Sequence, residues 1–246
     1  MRSSPLPPPR AIRLTTLPDH ACPYLPDRIA QNRAFVAARL DPVLYHQFMN
    51  AGFRRSGQLV YQPICSTCRA CIPIRVPTDR FARSKSQRRC WRKNADLSVE
   101  VAPPVPTEEK FTLYQRYVLE RHRRNEQSGV EQGADPDSFC TFLYASPVST
   151  LEFAYRDPVG RLLAIGICDL CPNSLSSVYF YFDPSESRRG LGTFGALYEI
   201  DFARRNRIPH YYLGYWVLGC AAMEYKAQFR PNETLDEHGV WCENRD

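Results

Sequence analysis

The chain has 246 residues, a length that accommodates one large domain or two small ones. Its hydrophobic content of 43% excludes global disorder, and its formal net charge of +6 favours a polyanionic partner. No run of eighteen apolar residues is found, and the first ten residues are rich in proline and serine without an apolar segment. These features predict no membrane partner, a cytoplasmic localisation and mostly reduced thiols among the cysteines.

The N-terminal part of the chain divides into a tail and a cysteine-bearing region. Residues 1–15 are predicted to be a disordered tail because they are rich in proline. Residues 16–102 follow as a region that carries a cysteine cluster and a basic run. Within it, Asp41-Pro42 predicts a helix start and Gly52 the end of that helix. Strands are predicted at 59–61 and 72–76, on either side of the cysteine cluster.

Three cysteines in this region share one spacing. Cys65, Cys68 and Cys71 form a Cys-x-x-Cys-x-x-Cys run, which indicates a common metal or redox centre. Cys22, in a rigid proline-flanked segment, is the candidate fourth ligand. Four thiolates suit either tetrahedral zinc or a [4Fe–4S] cluster. A set of buried or redox-active thiols explains the spacing equally well, so zinc, an iron–sulfur cluster and no metal all stay open.

A basic helix is predicted from residue 84 to residue 94, and it contains no acidic residue. Dense positive charge of this kind predicts contacts to the phosphates of a nucleic acid, and an ordinary solvated face is the alternative. The side chains predicted to make these contacts are Lys85, Arg88, Arg89, Arg92 and Lys93.

A proline-rich stretch at 103–106 is the predicted linker to a second region, 103–246. Thr107 is the predicted cap of the first helix in that region. The later elements are strands at 151–155, 162–168 and 177–182, a helix at about 193–206, a strand at 210–215 and a helix at 223–229. This order of strands and helices predicts an α/β (α+β) fold.

A glycine turn precedes the predicted helix at 193–206. Glycines after a strand let backbone N–H groups at a helix N-terminus approach an anion closely. The candidate anion contacts are therefore Arg188, Arg189, Gly190 and Gly192. The turn resembles the pyrophosphate-binding loop of the GNAT acyltransferases, although Ser187 departs from the usual pattern and counts against coenzyme A. An ordinary loop is the alternative.

The last strand and helix carry aromatic and basic residues. The stretch at 211–216 holds three tyrosines and a tryptophan, of which alternate members are expected in the core. The others could stack on a base or line an apolar pocket. Lys226 and Arg230 are four residues apart and are predicted to share one helix face. There they could bind a carboxylate or a phosphate, and plain solvent exposure is the alternative.

Several motifs occur together in one order along the chain. They are Cys-Pro-Tyr-Leu (22–25), Gly-Phe-Arg-Arg-Ser-Gly (52–57), Tyr-x-Pro-x-Cys-x-x-Cys-x-x-Cys-x-Pro-x-Arg (61–75), Ser-x-Ser-Gln-Arg-Arg (84–89), Ser-Ser-Val-Tyr-Phe-x-Phe-Asp-Pro (176–184), Tyr-Leu-Gly-Tyr-Trp (212–216) and Met-x-Tyr-Lys-x-x-Phe-Arg-Pro (223–231). This set resembles the arginyl-tRNA–protein transferase family, in its bacterial aspartate/glutamate leucyltransferase branch.

The resemblance implies a GNAT-like acyltransferase fold with an N-terminal cysteine-bearing region. It implies an aminoacyltransferase that moves leucine from Leu-tRNA to the α-amine of proteins with N-terminal Asp or Glu, creating an N-degron. An aminoacyl ester is already activated, so no cofactor is required for the chemistry. Arginine as the donated residue, a non-catalytic zinc or RNA-binding protein, and a coenzyme A acetyltransferase are the alternatives.

The same resemblance suggests residues for the two substrates. The polar side chains near the strand ends that are predicted to handle protons are Asp183, Tyr212 and Tyr215. Cations in the shared motifs, outside the main basic run, are predicted to include the group that binds the acceptor carboxylate. These cations are Arg54, Lys226 and Arg230.

Overall fold

The computed structural model describes residues 12–124 and 135–244, without the side chains of residues 121–124. Most of the predicted tail at 1–15 lies outside these residues. The helices are α1 (Pro42–Asn50), α2 (Lys85–Lys93), α3 (Glu108–Arg124), α4 (Pro136–Phe139), α5 (Leu191–Arg205) and α6 (Ala221–Glu224). A π-helical turn spans Cys140–Tyr144, and 3₁₀ turns span Pro184–Arg189 and Tyr225–Gln228. None of the helices in the described part is long and apolar enough to span a membrane.

Fourteen strands complete the described structure. They are β1 (Thr15–Thr16), β2 (His20–Ala21), β3 (Ile29–Ala30), β4 (Asn32–Val36), β5 (Arg54–Ser56), β6 (Leu59–Pro63), β7 (Cys71–Pro77), β8 (Ser98–Ala102), β9 (Thr150–Arg156), β10 (Leu162–Cys171), β11 (Ser174–Phe182), β12 (His210–Val217), β13 (Glu233–Leu235) and β14 (Trp241–Glu243).

Local sequence signals set the starts of α1 and α2. The Asp41 side chain accepts a hydrogen bond from the Val43 backbone N–H at 2.9 Å and so caps α1. Ser84 caps α2 in a reciprocal arrangement with Gln87, whose side chain accepts from the Ser84 backbone N–H at 2.9 Å. Such caps satisfy N–H groups that have no partner inside the helix. The helices predicted at both positions are confirmed.

The centre of the fold is an eight-stranded mixed sheet in the order β14-β13-β7-β12-β11-β10-β9-β8. A four-stranded sheet, β1-β4-β6-β5, and the pair β2-β3 lie beside it in the N-terminal part. β7 is inserted between β13 and β12, and β8 forms the opposite edge, so strands from both regions predicted by sequence share one sheet. The α/β prediction is confirmed by this arrangement.

The strands β11 and β12 separate along their length. They pair in parallel from Ser174 opposite His210 to Ser176 opposite Tyr212. Both strands then continue, to Phe182 and Val217, beyond the last paired position. A parallel pair needs a crossover connection, which α5 and the turn before it supply. The strands therefore leave a gap toward their C-terminal ends.

Helices cover both faces of the sheet. The largest apolar cluster joins the sheet to α5, where Leu197 and Ile200 are buried. A second cluster joins the other face to α3 through Leu113 and Val118. Each buried aliphatic side chain of this size contributes about 1.5–3 kcal/mol relative to an exposed one. The two helices therefore hold β10 and β11 rigidly and fix the position of the gap.

Candidate active site

A cleft of about 740 Å³ opens where β11 and β12 separate. One wall consists of β11 side chains from Ser177 onward, and the other consists of β12 residues that include Tyr215. The start of α5 and the segment 222–226 complete the lining. Concave sites of this size are the usual places at which proteins bind small ligands or the reacting ends of larger ones.

Arg54 occupies the point at which the two strands separate. Its Nη1 donates a hydrogen bond to Ser176 Oγ at 2.7 Å, and its Nη2 donates to the Ser177 carbonyl oxygen. Gly214 of β12 faces the guanidinium with a φ of +89°, a conformation that glycine adopts without strain. Arg54 is only 8% exposed, so it places a buried positive charge in the cleft.

Lys226 is a second buried cation in the same cleft. Its Nζ donates to the Tyr215 carbonyl oxygen at 3.0 Å. Burial, and then the neighbouring charge of Arg54, lower the pKa of Lys226 to about 7. Among the described residues, the hydrogen-bond acceptors of both cations are a hydroxyl and two carbonyl oxygens, so no carboxylate of these residues neutralises them through a hydrogen bond. We call Arg54 and Lys226 the buried cation pair.

Arg230 does not join this pair. The helix predicted at 223–229 is instead α6 followed by a 3₁₀ turn, and both end before Arg230. Lys226 is buried whereas Arg230 is exposed, so the prediction that they share one helix face is wrong. A spacing of four residues aligns side chains only where a continuous α-helix connects them.

The two predicted tyrosines lie on opposite sides of β12. Tyr215 lines the cleft, and its hydroxyl donates to the Gly52 carbonyl oxygen at 2.8 Å. Tyr212 packs against α1 instead, where its hydroxyl donates to Asn50 Oδ1 at 2.5 Å. Arg75 Nη1 donates to the same hydroxyl at 3.1 Å. The structure therefore brings Tyr215, and not Tyr212, to the cleft.

Asp183 is engaged in holding the turn that follows β11. Its carboxylate accepts from the Ser185 backbone N–H at 3.0 Å and from the Ser185 hydroxyl at 2.7 Å. Arg116 of α3 forms an ion pair with it at 3.0 Å. The neighbours Phe182 and Pro184 line the cleft, whereas Asp183 is not among the lining residues. Its contacts indicate that it positions the turn at the cleft edge.

The predicted phosphate-binding residues lie on α2 and on the turn before α5, which are bonded to each other. All five basic residues of α2 are exposed. The end of α2 is fastened to the turn before α5, because Asn94 Nδ2 donates to the Arg189 carbonyl oxygen at 2.9 Å and Lys93 Nζ donates to that of Arg188. Arg188 is exposed, whereas the Arg189 guanidinium is paired with Asp96 at 2.9 Å. Arg188 thus extends the basic surface, and Arg189 anchors it.

The start of α5 connects this basic surface with the cleft. Gly190 has a φ of +68° and begins the helix without a side-chain cap. Gly190, Gly192 and Thr193 line the cleft. The first backbone N–H groups of an uncapped helix lack intrahelical partners and carry the positive end of the helix dipole. This end of α5 can therefore bind an anion that enters from the basic surface.

Cys22, Cys65, Cys68 and Cys71 line a separate cavity of about 370 Å³. Burial, and then the neighbouring thiols of the other three, raise the pKa of Cys71 to about 12. The four thiols have the chemistry that zinc or an iron–sulfur cluster requires. In the described structure, however, no three His, Cys, Asp or Glu side chains are arranged to hold a metal ion. The cofactor therefore stays a prediction.

Single Cys→Ser changes at these four positions test that prediction. If the cysteines form one metal site, each change is expected to lower metal content to a similar extent, because all four ligands complete the same tetrahedron. Elemental analysis after purification without oxygen provides the measurement. Cys140→Ser is the matched control, since Cys140 is exposed and lies outside the cavity. Metal-free protein with full activity would contradict the site.

Sequence reasoning missed the charged residues Arg55, Glu120 and Glu199 of the cleft. Glu199 lines the cleft although only 1% of the residue is exposed, and Glu199 Oε2 accepts a hydrogen bond from the Tyr211 hydroxyl at 2.5 Å. No sequence signal placed it there, because Glu199 is two residues after Leu197, a spacing that puts two helical side chains on different faces.

Comparisons with known proteins identify the family of this chain. Residues 20–89 match the model of the arginine-tRNA-protein transferase N terminus, and residues 109–236 match that of its C terminus. An aspartate/glutamate leucyltransferase of Hahella chejuensis is 40% identical, over 92% of this chain and 95% of that protein. One of Pseudomonas putida is 42% identical, over 88% and 90%.

A solved structure, the GCN5-related glucosamine N-acetyltransferase region of a fungal multi-domain enzyme, aligns with 78% of this chain and 21% of that chain. Its TM-score is 0.43 and its sequence identity is 12%. The family assignment rests on the sequence matches, which cover most of the chain. The chain belongs to the arginine-tRNA-protein transferase family and, within it, to the branch of the aspartate/glutamate leucyltransferases.

Proposed function

We propose that this protein transfers leucine from Leu-tRNA to the α-amine of proteins that begin with Asp or Glu. The observation that carries the proposal is the buried cation pair in a cleft that the basic surface borders. The family assignment and the names of the relatives agree with it. The product would carry an N-terminal leucine that marks it for degradation, and the enzyme would act in the cytoplasm, where tRNA is charged.

The buried cation pair supports recognition of an acidic acceptor. A buried charge without a counter-ion is costly, and a carboxylate that enters the cleft removes this cost for both cations. Arg54 can bind a carboxylate through two parallel hydrogen bonds, whereas Lys226 supplies a point charge. A neutral side chain in the same place would leave both cations unpaired. This difference favours Asp and Glu over residues such as Ala.

The basic surface supports a tRNA donor. The exposed cations of α2 and Arg188 provide a positive area that ends at the start of α5. Contacts to phosphates position a nucleic acid without reading its sequence. The acceptor end of a tRNA bound there would reach the cleft over Gly190 and Gly192, with a phosphate near the helix N-terminus.

The chemistry then requires positioning more than activation. An aminoacyl ester reacts with an unprotonated amine without a covalent enzyme intermediate, and holding the two groups together accounts for a large part of the rate. The amine nitrogen forms a bond to the ester carbonyl carbon, and the ribose oxygen leaves with a proton. Tyr215 is our candidate on the cleft wall for orienting the reacting groups.

Arg88→Ala together with Arg89→Ala tests the donor surface. Each phosphate contact releases counter-ions, so their loss is expected to weaken tRNA binding and to reduce the slope of log affinity against log salt by about 1–2. Binding of tRNA at a series of salt concentrations gives the slope. Replacing Arg28 and Arg69, two exposed arginines that line the cysteine cavity, with Ala provides a control of equal charge change. An unchanged slope in the double variant would make the α2 surface a plain solvated face.

Incubation with Leu-tRNA and a peptide that begins with Asp tests the proposed function itself. Mass spectrometry is expected to detect the peptide with one added leucine. Binding of tRNA without any gain in peptide mass would instead identify a non-catalytic RNA-binding protein.

A further inference from the structure

Glu199 is a buried carboxylate that the proposed chemistry has not yet used. Its Oε2 accepts from the Tyr211 hydroxyl at 2.5 Å, while its Oε1 is buried without a hydrogen-bond partner among the described residues. Gly166 of β10 makes room for this oxygen, because a Cβ there would lie 2.3 Å from Oε1. A carboxylate that is buried without a cation costs several kcal/mol, so its position on the cleft lining indicates a function.

Tyr211 and Ser177 connect this carboxylate to the open part of the cleft. Burial, and then the charge of Glu199, raise the pKa of Tyr211, and a hydrogen bond from the Ser177 side chain opposes this rise. Ser177 is half-buried and lines the cleft, and its carbonyl oxygen accepts a hydrogen bond from Arg54 Nη2. Ser177, Tyr211 and Glu199 all line the cleft, and the Tyr211–Glu199 hydrogen bond provides a direct proton contact between two of them.

We propose that Glu199 holds the proton that the acceptor amine must lose, and that Ser177 and Tyr211 carry this proton to it. The inference rests on the proposed function. The α-ammonium of the acceptor gives a proton to Ser177 Oγ as Ser177 gives its own to Tyr211 and Tyr211 gives its own to Glu199. The neutral amine then attacks the ester carbonyl carbon, the C–N bond forms and the C–O bond to the ribose breaks.

Two further proton movements complete the balance. The attacking nitrogen loses one proton and the leaving ribose oxygen gains one, so the peptide bond and the ribose hydroxyl are both neutral. The proton stored on Glu199 returns through the same chain to solvent after the product leaves. Glu199 acts through Tyr211 and is therefore a positioning residue, whereas Ser177 is the member of the chain that reaches the substrate.

The surroundings of Glu199 suit this role. Burial raises the pKa of Glu199 to about 7, and contacts from Tyr211 and the Cys168 thiol oppose the rise. Tyr155 of β9 also faces the carboxylate. These three neighbours are uncharged at neutral pH. An α-amine has a pKa of about 7.7–8.0, and a base is most effective when its pKa lies near that of its partner and the working pH.

Glu199→Gln tests the proposal through its pH profile. The amide keeps the size of the side chain and removes the proton acceptor. At pH 7 we expect kcat/KM for an Asp-starting peptide to fall by about 10²-fold, as for the loss of a general base. The loss is expected to shrink toward pH 9, because the amine then loses its proton to solvent. Ser177→Ala is expected to give the same pH-dependent pattern and keeps the test valid if Glu199→Gln does not fold.

Glu152→Gln is the matched control, since Glu152 is a second buried glutamate whose partners are Lys110 and Tyr144 and which does not line the cleft. Its pH profile is expected to match the wild type. A loss that is equal at pH 7 and pH 9 in Glu199→Gln and Ser177→Ala, or no loss in either, would overturn the proton chain. Wild-type protein that transfers no leucine would instead overturn the proposed function.

Discussion

Lys226→Met is expected to make the protein more stable and its transfer reaction to Asp-starting peptides at least about 10²-fold slower. Removal of one partner of a buried charge pair costs about 3–5 kcal/mol, which corresponds to this factor or more. The affinity for charged tRNA is expected to change much less, because Lys226 is buried and is not one of the exposed cations of the basic surface. Measurement of kcat/KM with Asp- and Ala-starting peptides, and of tRNA affinity, separates the two effects.

The gain in stability follows from the cost of burying the ammonium group. Its pKa falls from 10.5 to about 7 on folding, a difference equivalent to about 5 kcal/mol at most. The variant also leaves the Tyr215 carbonyl without its donor, at a cost of about 1–3 kcal/mol. A net gain of about 2 kcal/mol in the free energy of unfolding is therefore expected.

The gain has a defined pH dependence. Below pH 7 both the folded and the unfolded states of the wild type hold the Lys226 proton, so the folded state carries the full cost. Between pH 7 and 10.5 the folded state releases this proton first, and the contribution of Lys226 to instability fades as pH rises. Denaturant unfolding at pH 6 and pH 9 is thus expected to give a larger gain at pH 6. A destabilised variant at pH 6 would contradict the assignment of Lys226 as an uncompensated charge.

Lys110→Met provides the control for this experiment. Lys110 is also largely buried, but it forms an ion pair with Glu152 at 2.5 Å. The same substitution there leaves a buried carboxylate without its partner and is expected to reduce stability by about 3 kcal/mol or more. It is expected to leave the preference for Asp over Ala peptides unchanged, because Lys110 does not line the cleft. Opposite signs for the two stability changes would separate a functional lysine from a structural one.

Arg54→Ala is expected to abolish the discrimination between acidic and neutral acceptors. The variant removes the guanidinium that can grip the acceptor carboxylate, so transfer to Asp-starting peptides is expected to fall by about 10²-fold or more while transfer to Ala-starting peptides changes much less. Arg54→Lys keeps the charge without the planar fork and is expected to recover part of the loss. The ratio of kcat/KM for the two peptides is the quantity to compare.

The neighbouring residue supplies the control. Arg55 is equally buried and also lines the cleft, but its guanidinium is already neutralised by Asp169 at 2.6 Å. Arg55→Lys is expected to lower stability and to leave the ratio of Asp to Ala transfer as it is. If Arg54→Ala instead weakens tRNA binding and keeps the ratio, Arg54 belongs to the donor site and another group reads the acceptor.

Elements with local signals could be predicted from sequence. The caps of α1 and α2 consist of residues within a few positions of the helix start. Asp41 was sufficient to place the first helix, and the basic run at 84–94 placed the second. The exposure of the α2 cations also follows from the sequence, because Lys and Arg are almost never fully buried without a partner. The insertion of β7 beside β12, by contrast, depends on pairings between residues more than a hundred positions apart.

The composition of the cleft depends on the same distant contacts. Tyr212 and Tyr215 are three residues apart, an odd spacing that already places them on opposite faces of a strand. The spacing alone therefore predicts that only one of the two tyrosines can face the cleft. The sequence held no such signal for the burial of Lys226, because a 3₁₀ turn and the approach of Arg54 from β5 create that environment only in the folded chain.

The proposal as a whole is tested most directly by offering each charged tRNA separately with peptides that begin with Asp, Glu and Ala. Peptide mass and kcat/KM are measured for every pair. We predict that Leu-tRNA gives transfer to the Asp and Glu peptides. The Ala peptide is expected to react at least about 10²-fold more slowly, as the loss of a buried charge pair implies. Faster transfer from Arg-tRNA than from Leu-tRNA would show that arginine, and not leucine, is the donated residue. Equal transfer to all three peptides would contradict the claim that the buried cation pair selects an acidic acceptor.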